Sequence, residues 1–77
     1  MKKYNNRRRL LAVGQLFMKH HSLTLKELYY YLKKEYEIFA DDAVIRRDVE
    51  VLSEFLPISK VGSTKGAAYV LRGDDNG

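Results

Sequence analysis

The chain has 77 residues, enough for one small core and no second one. Hydrophobic residues at 45% and charged residues at 31% are the proportions of a globular chain and exclude wholesale disorder. With no cysteine there is no disulfide framework and no thiolate metal site, and a net charge of +4 favours anionic partners.

The longest apolar run, Leu10 to Met18, contains Gly14 and Gln15 and is too short to span a bilayer. No small-residue cleavage site follows the basic start, so it does not read as a signal peptide, and a cytoplasmic chain without a membrane partner is expected. Lys2, Lys3, Arg7, Arg8 and Arg9 crowd one end, and Asp74 and Asp75 close the other. Residues 1–6 are predicted to form a basic flexible arm, 7–72 the folded domain, and 73–77 a disordered tail. Such an arm attracts phosphate without reading sequence, and it suits RNA or an anionic membrane equally.

From Arg7 to His20 the pattern is helical, with Leu10, Val13, Gly14 and Phe17 on one face. Leu11 and Met18 form a narrower stripe, read as further core, with a dimer contact as the lesser alternative. His20 and His21 fall at the helix end, where imidazole is favourable; as an adjacent pair with no third ligand they are read as structural. Leu23 can add a minimal strand. Thr24-Leu25-Lys26-Glu27 is a capping box that starts a second helix. Leu25, Leu28, Tyr29, Leu32 and Tyr36 share one face of it, and Phe39 continues the stripe. Tyr30 and Tyr31 lie among Lys26, Lys33 and Lys34. That grouping invites single-strand stacking, but the stronger reading makes Tyr29 core and the other two covers for apolar surface. Glu35 to Ala40 is either more helix or a turn near Glu37.

The third helix is predicted from Asp41, whose carboxylate is placed to cap it. Ile45, Val49, Leu52 and Leu56 fall on one side, with Val44, Val51 and Phe55 beside them. Ala43, Arg46, Arg47 and Glu50 fall on the other. Asp48 lies inside the apolar sector, so it is predicted to anchor a basic residue or a backbone N–H and not to touch DNA. Leu56-Pro57 stops the helix. Ile58 to Val61, Gly62 to Gly66 and Ala67 to Leu71 read as strand, turn and strand, with Tyr69 and Leu71 facing the helices. Lys60, Lys65 and Arg72 are expected to be exposed.

The layout is α+β: a winged helix-turn-helix, three helices followed by a two-stranded β-hairpin wing. Val44-Ile45-Arg46-Arg47-Asp48-Val49 with Leu52 resembles the recognition-helix signature of DeoR-type regulators. Leu23-Thr24-Leu25-Lys26-Glu27-Leu28 and Arg8-Arg9-Leu10-Leu11 also fit. Phe55-Leu56-Pro57-Ile58 with Gly66-Ala67-Ala68-Tyr69-Val70-Leu71 is similar to the wing of WYL-type regulators. The resemblance implies sequence-specific binding of double-stranded DNA by a small bacterial or phage transcriptional regulator. The recognition helix, about 41–55, would enter the major groove, and the wing, about 58–71, would lie on the backbone. By the same resemblance Arg46 and Arg47 read guanine edges or grip phosphate, and Ala43 and Val44 touch a thymine methyl. Lys60, Lys65, Arg7, Arg8 and Arg9 hold phosphates.

Two departures stand out. Lys33 to Phe39 lengthens the usual approach to the recognition helix, and the small-molecule effector domain of those regulators is not expected here. Either a monomer or a homodimer that pairs on DNA fits the sequence. The chain has no phosphate loop, no metal-ligand cluster and no nucleophile–base pair, so neither an enzyme nor a cofactor is expected. The competing reading is a winged-helix protein-interaction module, which Glu50 and Glu54 favour because acid repels phosphate. RNA or single-strand binding through the tyrosines is a weaker third.

Overall fold

A computed structural model describes residues 6–62 and 66–72. The predicted arm (1–5 of it), Lys65 and the predicted tail at 73–77 lie outside the described residues. The elements run α1 (Asn6–His20), β1 (Ser22–Thr24), α2 (Leu25–Tyr36), α3 (Asp42–Leu52), β2 (Ile58–Val61) and β3 (Ala68–Leu71). The strands form one antiparallel sheet in the order β1-β3-β2. The fold is therefore α+β, as expected, but the hairpin is not alone. Leu23 sits opposite Tyr69, and its strand turns a two-stranded hairpin into a three-stranded sheet. Two strands are marginal in water, and the third supplies a partner for the free edge of β3.

The core is assembled from every layer. Val13, Leu16 and Phe17 of α1 meet Leu28 and Leu32 of α2, Ile45 and Val49 of α3, and Leu23 and Tyr69 of the sheet. Each such side chain contributes about 1.5–3 kcal/mol on burial. Leu16 and Ala12 belong to this core although the predicted face of the first helix did not include them. Leu71 packs against it from the same face of β3 as Tyr69, as the alternation predicted. Leu10 and Gly14 are half-buried; Gly14 faces Leu52 across the α1–α3 contact.

Several apolar residues expected inside are outside. Leu11 and Met18 are 68% and 62% exposed, because α1 already meets α2 and α3 on its other faces. Tyr29 is 39% exposed; Leu28 and Leu32 fill that part of the core, and Lys33 lies over the Tyr29 ring. Phe39 is exposed because α2 ends before it. The Glu37 and Ile38 N–H groups both donate to the Leu32 carbonyl, and Glu37 is left-handed at φ 58°. That turn half-buries Ile38 and Ala40 and directs Phe39 outward.

The capping box forms as predicted. The Glu27 N–H donates to Thr24 Oγ1 at 3.1 Å, and the Thr24 N–H to Glu27 Oε1 at 2.9 Å. Asp41 differs from expectation. Its backbone is extended, as a cap requires, and its carbonyl accepts from Ile45, but its carboxylate makes no capping bond. The third helix is also shorter than the predicted 41–55. Ser53 donates its hydroxyl to the Glu50 carbonyl, and turns through Glu54, Phe55 and Leu56 lead to Pro57. Phe55 leaves the apolar side and is exposed, and Val51 lies at its margin. Beyond Pro57 the chain is tied back where Arg72 donates to the Pro57 carbonyl and Leu71 to that of His21.

Candidate nucleic-acid interface

Eleven helical residues give α3 a length of about 16 Å, sufficient to lie in a major groove about 12 Å wide. Its inner face is fixed by Ile45, Val49 and Asp48, all buried. With about 100° between successive residues, Ala43, Arg46, Arg47 and Glu50 must then point outward, and all four are exposed. Val44 sits on the shoulder and is half-buried. Among the described residues neither Arg46 nor Arg47 has an ion pair or a side-chain hydrogen bond, so their donor forks are uncommitted.

An open groove of about 650 Å³ runs between the start of α2, the first turns of α3 and the hairpin. Lys26, Arg46 and Lys60 come to it from three different elements, with Asp42 as its acid and Leu25 and Tyr69 on its apolar side. Arg46 and Lys60 were expected to contribute to such a surface. Lys26 was not. Its sequence signal is its place in the first turn of the capping-box helix. The pairing of β1 with β3 brings that turn beside the hairpin, and nothing in the chain order alone announces that pairing.

The three arginines at the start of α1 part company. Arg7 is exposed. Arg8 donates to the Tyr36 carbonyl at 3.1 Å, satisfying a group at the C-terminal end of α2. Arg9 turns inward and grips Asp48 with two bonds: Nε donates to Oδ2, and Nη2 to Oδ1 at 3.2 Å. Its side chain is only 15% exposed. Arg9 is thereby withdrawn from the set expected to hold phosphate, and Asp48 has the basic partner its place in the apolar sector required.

The tyrosine run is likewise engaged locally. Tyr31 stacks on His20 with ring centroids 4.6 Å apart and meets Tyr30 edge-on at 5.3 Å. Lys34 lies over the Tyr30 ring and donates to its hydroxyl at 3.3 Å. His20 is thus part of the packing at the end of α1, as its position suggested. No group of three metal-ligating side chains occurs among the described residues, and none of their helices is long and apolar enough to cross a membrane. No protein-family model matches the chain, and neither the curated proteins nor the solved structures give a significant match.

Proposed function

We infer that the chain binds double-stranded DNA in the manner of a winged helix-turn-helix regulator, with α3 in the major groove and the β2–β3 hairpin on the backbone. The observation that carries this reading is the outer face of α3, whose two arginines have no partner among the described residues. Both are held out by a helix whose other side is locked into the core. Compatible with it is the order of elements, three helices and a small antiparallel sheet two of whose three strands follow the third helix. The sequence resemblance to DeoR-type and WYL-type regulators, centred on residues 44–49, points the same way. A role in transcription follows from that resemblance.

The test is a titration of the purified protein with random duplex DNA at two salt concentrations, beside the Arg46→Ala/Arg47→Ala variant. Binding should weaken steeply with salt, as counterion release requires, and collapse in the double variant. A folded protein without measurable binding at low salt would end the DNA reading.

A second reading, a protein-interaction module, is favoured by one observation: Leu11 and Met18 stand exposed on α1, one heptad apart. A partner seated there would be held with little dependence on salt and released by Leu11→Ser/Met18→Ser, not by the arginine changes.

A further inference from the structure

We propose that the groove between α2, α3 and the hairpin seats one DNA phosphodiester strand, gripped by Lys26, Arg46 and Lys60, and that Arg47 is the arginine directed at base edges. The proposal rests on the DNA-binding reading above and divides the arginine pair by role. Adjacent residues on a helix point about 100° apart, so Arg46 and Arg47 leave α3 along different lines. Arg46 lines the groove with the two lysines, whereas Arg47 does not. Arg47 lies instead on the ridge with Ala43, one turn before it, and Glu50, three residues after it.

The groove has the chemistry of a backbone seat. Its cations come from α2, α3 and β2, so a polyanion bound there bridges all three elements at once. Lysine holds phosphate as a point charge and arginine through a fork of donors, and neither mode depends on sequence. Leu25, Ala67 and Tyr69 supply apolar surface of the kind a deoxyribose can lie against. Asp42, one helical turn before Arg46, offsets the mutual repulsion of the three cations while the groove is empty.

The deciding experiment measures wild type and the variants Lys26→Ala, Arg46→Ala, Lys60→Ala and Arg47→Ala in two ways. One is affinity for a fixed random-sequence duplex between about 50 and 200 mM salt. The other is the motif enriched from a randomised duplex pool. Circular dichroism checks that each exposed substitution leaves the fold intact. The three groove variants should each lower the slope of log K against log salt by about 0.9 and keep the wild-type motif. Arg47→Ala should lose roughly tenfold or more of discrimination at one base position. Asp42→Asn should tighten binding to every duplex alike.

An altered motif in Arg46→Ala, or unchanged affinity in Lys26→Ala and Lys60→Ala, would overturn the division of roles while leaving DNA binding standing. Absence of any salt-sensitive binding by wild type would remove both. Saturable binding of inorganic phosphate at matched ionic strength, abolished in the three groove variants, would assign the groove to a free phosphate ligand and overturn the strand.

Discussion

Against the inner face of α3 an arginine and an aspartate are joined and nearly withdrawn from water, whereas on its outer face two arginines stand without an ion pair among the described residues. The same guanidinium group serves opposite ends in the two regions. Arg9, reaching from α1, neutralises a carboxylate that could not otherwise sit among Ile45 and Val49. Arg46 and Arg47 make no ion pair among the described residues, although Asp42 and Glu50 lie within one helical turn of them. A helix that packs on a core and also presents cations to solvent gains from this separation. The side packed on the core has its charges joined in a pair, and the side facing solvent leaves its arginines unpaired among the described residues.

Breaking the inner pair should have the largest effect. Asp48→Ala leaves the Arg9 guanidinium mostly buried and unpaired, a change that costs about 3 kcal/mol. In a domain of this size that lowers the melting temperature by roughly 15 °C, readable by thermal circular dichroism. The paired replacement Arg9→Met/Asp48→Leu removes both charges and should recover most of the loss. If Asp48→Ala melted like wild type, the pair would be a surface contact and the contrast between the faces would fail.

The outer face should behave inversely. Arg46→Ala/Arg47→Ala is expected to lower DNA affinity on the order of a hundredfold, with the melting temperature within a few degrees of wild type. Loss of stability on that scale would show that the two arginines serve the fold.

A smaller change should strengthen the inner face alone. Gly14 sits inside α1 where a Cβ would lie 3.8 Å from a Leu52 methyl, ordinary contact distance with no overlap. Gly14→Ala should therefore stabilise the protein by up to about 1 kcal/mol, from helix propensity and added packing at the α1–α3 crossing. Denaturant midpoints would register the gain, and DNA affinity should not move.

Much of this contrast was legible in the residues. The two faces of α3 follow from period alone, and the need for a partner at Asp48 follows from a carboxylate in an apolar sector. Its partner's identity did not follow, because Arg9 lies 39 positions away and is locally indistinguishable from Arg7 and Arg8. The capping box was readable because its reciprocal bonds span only three residues. The strand at Leu23 was visible only as an option, since three residues carry no period and their pairing with β3 is long-range. The same limit hid Lys26. Exposed Leu11 and Met18 misled for a simple reason: an apolar stripe reports what could be buried, and α1 has only two helical neighbours to bury it.

The connection from α2 to α3 was undecided for a local reason that also yields the smallest prediction. A helix commonly ends at a left-handed residue that is glycine, and here that position holds Glu37 at φ 58°, with no glycine to announce it. A residue with a Cβ is strained there by about 1–2 kcal/mol. Glycine relieves the strain but adds freedom to the unfolded chain, which offsets roughly half of the gain. Glu37→Gly should thus stabilise by about 0.5–1 kcal/mol, a shift of a few degrees in melting temperature. Glu37 is exposed, so neither face of α3 is altered by the change and DNA affinity should hold. A drop in affinity without loss of stability would instead mean that this turn sets the angle at which α3 is presented, and that the outer face depends on more than its arginines.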